Sequence, residues 1–176
     1  PSMLQSDGLN TEVKESIENI LSELKSEGHT IDELSFDLFD HLIATYYVLT
    51  TAEASSNLAR FDGVHYGYRS TGANEMESVY KRSRTEGFGK EVKNRIMLGT
   101  FVLSAGYYDA YYKKAQRVRR LILNDFKEAF KKVNVILAPT TPSAAFPIKG
   151  SKEISNSDPV KMYLNDVFTI PANLAG

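Results

Sequence analysis

The spacing of apolar side chains predicts a chain made mainly of helices. After Asn10, a suitable N-cap, apolar residues recur at helical intervals until Gly28, a typical helix stop. A second helix is expected from about Asp37 to Arg60, and its apolar residues are too dense for one solvent-facing side, so it should be largely buried. Amphipathic helices are also predicted over residues 75–84 and 118–133.

Two short apolar segments are predicted as strands. Residues Ile31–Phe36 alternate in part, and Val135–Ala138 is a continuous apolar run of the kind found in buried strands. Helices and strands that follow one another in this way predict the α/β fold class. The length of 176 residues predicts a single domain over residues 1–176, and the Ser- and Lys-rich segment 147–157 predicts a mobile surface loop.

The segment Glu86–Tyr112 contains the first candidate binding residue. Arg95 lies in sequence beside Ile96, Met97 and Leu98. An unpaired charge in apolar surroundings is strongly penalised, so we expect Arg95 to have an anionic partner. That partner is either a ligand or Glu91, one helical turn earlier. Asp166, close in sequence to Phe168 and Ile170, needs a partner for the same reason.

Two further polar groups leave alternatives open. One alternative is that the small residues Ser55, Ser56 and Asn57 pack a helix end against a neighbour. The other is that Glu53, Asn57 or Arg60 belongs to a polar network that lines a site. No Lys or His is near enough in sequence to activate these serines as nucleophiles. The basic group at Lys81, Arg82 and Arg84 is either a solvated helix face or a contact surface for RNA or an acidic partner.

Composition excludes several classes of function. The 21 basic and 22 acidic residues give a net charge of -1, which provides no overall attraction to nucleic acid or anionic membranes. The chain has no Cys, so disulfides, thiol catalysis and thiolate metal sites are excluded, and its three His have no metal-ligand spacing. No membrane span or signal peptide is recognisable, so we expect a soluble, cytoplasmic protein. The residues alone support either a ligand-binding part of an enzyme or a helical interaction module.

Four segments resemble one known family, and they occur in the family's order. They are EASSNLARFDGVHYG (Glu53–Gly67), EGFGKEVKNRIMLGTFVLSAGYYDAYYKKAQRVR (Glu86–Arg119), ILAPTTPSAAF (Ile136–Phe146) and MYLNDVFTIPANLAG (Met162–Gly176). The chain resembles the amidase signature family, in particular its glutamine-using members that serve tRNA-dependent amidotransferases. The resemblance implies a helix-rich portion of a fold in which a mixed β-sheet is layered between α-helices.

The resemblance also implies an activity and partners. Members of this kind hydrolyse glutamine, and a B subunit uses the ammonia to convert Glu-tRNA(Gln) to Gln-tRNA(Gln) with ATP and Mg. The implied partners are therefore glutamine, the B and C subunits of the amidotransferase, and Glu-tRNA(Gln) through the B subunit. No cofactor is expected on this chain. The alternatives are a stand-alone amide hydrolase of the same family and a structural module that docks other subunits.

The resemblance assigns binding residues but no catalytic ones. The family's Ser-Ser-Lys catalytic signature would lie upstream of this sequence, and a closing segment would follow it, so the chain looks like a fragment that is inactive alone. Arg95 and Asp166 match the positions that hold the α-carboxylate and α-ammonium of glutamine, and Tyr46 is a further substrate-binding candidate. The chemistry fits, since a guanidinium binds a carboxylate bidentately and a carboxylate accepts from an ammonium.

Overall fold

A computed structural model describes residues 8–145 and 165–176 of the chain. The α-helices in this part are α1 (Thr11–Ser26), α2 (Leu42–Asn57), α3 (Met76–Gly87), α4 (Lys90–Leu103), α5 (Lys114–Ala129) and α6 (Ile170–Ala175). Short 3₁₀ helices lie on either side of α2, at Phe39–His41 and Leu58–Arg60, and a π-helical segment at Tyr108–Lys113 leads into α5. The prediction of a helix-rich chain is confirmed. The predicted mobile loop at 147–157 lies outside the described residues.

Helix α1 has the ends that its sequence predicts. The Asn10 side-chain oxygen accepts a hydrogen bond from the Glu12 amide at 2.8 Å, which satisfies one of the open donors in the first turn. At the other end, Gly28 has a φ of 92°, a value that glycine adopts without steric cost. The main-chain amide of Asn10 also donates to the Pro142 carbonyl at 2.8 Å, which ties the start of α1 to the segment after Pro139.

The predicted strands are absent from the part of the chain that the structure describes. Residues Ile31–Phe36 and Val135–Ala138 have no regular secondary structure. A strand exists through hydrogen bonds to a neighbouring strand, and residues 8–145 and 165–176 provide no such neighbour. Val135 is 78% exposed, which also contradicts the prediction that it belongs to a buried strand. The prediction of short strands within this chain is therefore wrong for these segments.

The chain divides into two compact units, and each has its own buried residues. Of the described residues, the first unit comprises 8–43, 119–145 and 165–176, and the second comprises 44–118. Buried apolar side chains of the first unit are Leu42, Ile122, Ala129, Phe168, Ile170 and Leu174. In this unit the Arg119 guanidinium donates to the Leu174 carbonyl at 2.9 Å, which joins α5 to α6.

The second unit holds the segment on which the binding prediction depends. Its buried residues include Leu49, Thr51 and Ala52 on α2, Val79 and Ser83 on α3, and Gly99 and Val102 on α4. Much of this core is small or polar, and the small residues allow α2 and α4 to approach each other closely at Gly99. None of the helices formed by the described residues is long and apolar enough to cross a membrane.

Candidate functional site

Helices α2 and α4 meet at a glycine, and this contact determines where Arg95 lies. Gly99 is buried, and a Cβ at this position would clash with the main-chain carbonyl of Thr51 and lie 2.8 Å from the Ser55 Cβ. The Thr51 hydroxyl is turned back onto the Tyr47 carbonyl at 2.6 Å, so it does not intrude between the helices. Ser55 therefore packs against α4, which confirms the packing alternative for this residue, whereas Ser56 and Asn57 are exposed.

One turn before this contact, α4 presents Arg95 to α2. The Arg95 Cζ lies 5.9 Å from the centre of the Tyr47 ring, within the range of a cation–π contact. Tyr47 precedes Thr51 by four residues, as Arg95 precedes Gly99, so the two pairs face each other at successive turns. The close approach at Gly99 and Thr51 thus places the guanidinium beside the aromatic ring.

Arg95 has a carboxylate partner on its own helix. Glu91 Oε1 lies 3.0 Å from Arg95 Nε, and both side chains are partly exposed, 52% for Glu91 and 41% for Arg95. The apolar surroundings expected for Arg95 are not observed, since Met97 is 71% exposed and Leu98 is 45% exposed. Burial therefore does not force the pairing. The ion pair with Glu91 is observed, and the binding of a ligand by Arg95 remains a prediction.

The Tyr46 ring contacts the ring of Tyr47, which in turn contacts Arg95. The two rings are edge to face, with centroids 5.5 Å apart and planes at 83°. Tyr46 is half-buried, and its main-chain carbonyl accepts from the Thr50 hydroxyl at 2.8 Å. Arg95, Tyr47 and Tyr46 thus form a contiguous group on α2 and α4 of the second unit. The role of Tyr46 in binding remains a prediction.

Asp166 belongs to the first unit and begins the turn that leads into α6. Its main-chain carbonyl accepts from the amides of Thr169 and Ile170 and from the Thr169 hydroxyl, each at 3.0 Å. Asp166 is exposed, whereas Phe168 and Ile170 are buried, so the acidic side chain does not share their apolar environment. The role of Asp166 at an ammonium group remains a prediction.

A polar network that the sequence analysis did not identify holds the loop between α2 and α3. Glu86 accepts from the Tyr68 hydroxyl at 2.9 Å, from the Ser70 hydroxyl at 3.2 Å and from Arg82 Nε at 3.3 Å. The bond from Tyr68 is the main cause of a lowered pKa for the Glu86 carboxyl, and the same bond raises the pKa of Tyr68. Glu86 is 18 residues from Tyr68 and 16 from Ser70, so no local sequence pattern indicates these contacts.

Each residue of the basic group on α3 has a partner within the second unit. Arg84 donates to the carbonyls of Leu58 and Phe61 at 2.8 and 3.0 Å, where the 3₁₀ helix after α2 ends. Arg82 donates to the Gly72 carbonyl at 2.6 Å, and Lys81 pairs with Glu77. These contacts give all three basic residues partners inside the unit and provide no support for an RNA surface.

Within the same loop, Asp62 organises the turn that presents His65. One carboxylate oxygen accepts from the amides of Val64 and His65 at 2.8 Å, and the other lies 2.7 Å from the His65 ring nitrogen Nδ1. The hydrogen bond with the His65 ring, followed by those two amide bonds, holds the pKa of the Asp62 carboxyl well below its usual range. An Asp whose carboxylate accepts from the amide two residues later is a local turn signal that the sequence analysis missed.

Comparison with known proteins identifies the family. A sequence model of the Amidase family matches residues 2–176, nearly the whole chain. The chain belongs to the amidase family. The predicted resemblance to this family is confirmed.

The chain is similar to proteins named as the A subunit of glutamyl-tRNA(Gln) amidotransferase. It is 56% identical over 169 residues, 96% of this chain and 34% of the relative, to a Pseudomonas aeruginosa protein named as the A subunit of glutamyl-tRNA(Gln) amidotransferase. It is 54% identical over 176 residues, 100% of this chain and 36% of the relative, to the Bacillus velezensis protein of the same name. The chain thus spans about a third of the length of the curated relatives it matches.

A solved amidase-family structure has a similar fold. The crystal structure of the glutamyl-tRNA(Gln) amidotransferase A subunit from Thermotoga maritima matches with a TM-score of 0.66 and 36% identity, covering 99% of this chain and 32% of that one. The helix-rich structure of the described residues therefore corresponds to a portion of the amidase-family fold. The layered mixed sheet is not present in residues 8–145 and 165–176.

Proposed function

We propose that the intact protein is the glutamine-hydrolysing subunit of a glutamyl-tRNA(Gln) amidotransferase, and that this chain supplies its glutamine-binding and scaffold residues. The observation that carries the proposal is the match of the entire chain, at 54% identity, to a protein named as the A subunit of that enzyme. Ammonia released from glutamine would serve to convert Glu-tRNA(Gln) to Gln-tRNA(Gln). The Ser-Ser-Lys catalytic residues would come from outside this chain.

In this proposal, Arg95 binds the α-carboxylate of glutamine. A guanidinium presents five N–H donors in a fixed fork that matches two carboxylate oxygens. The structure supports the assignment because Arg95 is partly exposed, lies on a helix packed firmly against α2, and already contacts a carboxylate, that of Glu91. The binding energy of such a contact is used to orient the side-chain amide of glutamine toward the nucleophile.

Asp166 and Tyr46 complete the proposed binding residues. Asp166 accepts from the α-ammonium of glutamine, and its exposure leaves the carboxylate accessible to a ligand. Tyr46 supplies an aromatic wall next to Tyr47. A positive and a negative charge for one ligand favour an amino acid over a simple amide, because only the amino acid carries a carboxylate for Arg95 and an ammonium for Asp166.

The wider setting follows from the same proposal. The B and C subunits of the amidotransferase are the protein partners, Glu-tRNA(Gln) is reached through the B subunit, and ATP with Mg acts there rather than on this chain. The helix-rich portion that the structure describes belongs, in this proposal, to a fold in which a mixed β-sheet supplied by the rest of the protein is layered between helices. The complex works in the cytoplasm, where its tRNA substrate is found.

The proposal is tested by substituting Arg95 in the full-length protein within the purified complex. Arg95→Ala should lower kcat/KM for glutamine by about 10- to 100-fold, as expected for the loss of a charge-assisted bidentate contact. Lys90→Ala, a loss of positive charge on the same helix, is the control and should change it little. Amidation with free ammonium as the nitrogen source should be retained in both variants, because ammonia does not need the glutamine site.

Two outcomes would contradict the proposal. Unchanged glutamine kinetics in correctly folded Arg95→Ala protein would remove Arg95 from the site. Preference of the full-length enzyme for simple amides over glutamine would favour a stand-alone amide hydrolase. The chain of 176 residues on its own should show no glutaminase activity above a buffer blank.

A further inference from the structure

Glu91 forms an ion pair with Arg95, the residue proposed to bind glutamine. Both residues lie on α4, with Glu91 in its first turn and Arg95 one turn later. Glu91 Oε1 is 3.0 Å from Arg95 Nε. A Glu placed four residues before a basic residue is the favoured orientation for an ion pair along a helix.

Tyr47 contacts the same guanidinium from the neighbouring helix. The centre of its ring is 5.9 Å from Arg95 Cζ. The two contacts come from different elements, since Glu91 is on α4 and Tyr47 is on α2. Together they restrict both the position and the plane of a side chain that has several rotatable bonds.

Restricting Arg95 in advance has a consequence for binding. Ordering a long side chain when a ligand arrives costs free energy, and a group that is already ordered does not incur that cost again. Because a guanidinium has five donors, a contact of Glu91 with Nε is compatible with a second carboxylate on another edge. Glu91 can therefore hold Arg95 while Arg95 holds a ligand.

We propose that Glu91 is a positioning residue, which fixes the Arg95 guanidinium against Tyr47 for binding of the α-carboxylate of an amino acid amide. This inference rests on the proposed function of Arg95. The opposite role, in which Glu91 competes with the ligand carboxylate for Arg95, predicts the reverse change in KM. The direction of that change therefore separates the two roles.

Glutamine kinetics of the full-length protein in its complex provide the test. Glu91→Ala should raise KM for glutamine about 3- to 10-fold with kcat changed less than about twofold, since ordering of Arg95 affects ground-state and transition-state binding equally. Glu91→Gln retains an oxygen acceptor for Arg95 Nε and should raise KM less than Glu91→Ala does. Lys90→Ala, at the neighbouring position, is the matched control.

A double-mutant cycle shows whether Glu91 acts through Arg95. In an Arg95→Ala background, Glu91→Ala should have no further effect on KM. A full additional effect in that background would overturn the inference, and so would an unchanged or lowered KM in Glu91→Ala alone. If Arg95→Ala itself leaves glutamine kinetics unchanged, the proposed function of Arg95 fails together with this inference. If Arg95→Ala is impaired and Glu91→Ala is not, only the role of Glu91 fails.

Discussion

Gly99 of α4 packs directly against the main-chain carbonyl of Thr51 in α2. The Tyr47–Arg95 contact lies one turn before this point on each helix. A side chain larger than hydrogen at position 99 would have to displace the main chain of Thr51 rather than a flexible side chain. The position of the proposed carboxylate-binding residue, Arg95, therefore depends on the close packing at Gly99, one turn later on the same helix.

Gly99→Ala should destabilise the protein by about 1–3 kcal/mol, the usual cost of overpacking a close contact. The loss is expected even though Ala is favoured over Gly inside a helix by about 1 kcal/mol. Urea unfolding followed by circular dichroism measures the change. Gly89→Ala is the control, because no atom lies within 4 Å of a Cβ at Gly89, and it should cost at most about 1 kcal/mol. Equal effects of the two substitutions would contradict the role of the helix contact.

The helices could be predicted from the sequence, but the strands could not. A helix such as α1 satisfies its hydrogen bonds internally and shows its cap, its periodicity and its stop within about 20 residues. A strand at 31–36 or 135–138 depends on a partner strand, and the apolar pattern shows a suitable edge without showing that partner. The sequence pattern thus indicated where apolar segments lie but not what they pair with.

Arg84→Met should lower the free energy of unfolding by about 2 kcal/mol. Arg84 donates to two carbonyls, of Leu58 and Phe61, and hydrogen bonds from a charged donor contribute about 1.5–3 kcal/mol. Lys81→Met on the same helix is the matched control and should change stability by less than about 0.5 kcal/mol, because Lys81 and Glu77 are three-quarters exposed, at 75% and 76%. Thermal or urea unfolding of both variants measures the difference. Comparable losses would show that Arg84 does not fasten the loop.

Asp62→Ala should have an effect on stability that depends on pH. The His65 ring, then the amides of Val64 and His65, lower the pKa of the Asp62 carboxyl in the folded protein. A lowered folded-state pKa contributes stability above the unfolded value of about 4, and this contribution is lost as the pH falls through the folded-state value. The difference in unfolding free energy between wild type and Asp62→Ala should therefore persist from pH 7 to about 5 and shrink below about pH 4. A difference that grows on acidification would contradict this sign.

Glu86→Gln should lower the pKa of Tyr68 toward its ordinary value. In the folded protein the Tyr68 hydroxyl donates to the Glu86 carboxylate, which disfavours loss of its proton and raises its pKa. The stabilisation from this bond is present at neutral pH and is lost as the pH rises through the raised pKa. Titration of tyrosine Cζ resonances, with Tyr68→Phe for assignment, measures the change. Glu77→Gln on the same helix is the control, and an equal shift in that variant would exclude a specific role for Glu86.

The candidate site was predictable only in part, and for a physical reason. Arg95, Asp166 and Tyr46 were assigned through a family resemblance, whereas the reasoning that Arg95 is charged in apolar surroundings was wrong because Met97 and Leu98 are exposed. Periodicity indicates which residues share a face, but it does not show which face is covered. The Tyr47 contact depends on the approach of two helices at Gly99, and that approach is a tertiary property.

The most direct measurement is the affinity of the full-length protein for glutamine and for 4-aminobutanamide, which is glutamine without its α-carboxylate. Isothermal titration would compare wild type with Arg95→Ala. Wild type should bind glutamine at least about 10-fold more tightly than the analogue, because the Arg95 guanidinium binds the α-carboxylate of glutamine. Arg95→Ala lacks that interaction and should bind both ligands with similar low affinity. If Arg95→Ala still prefers glutamine by the wild-type factor, then Arg95 does not bind the carboxylate and the central assignment is wrong.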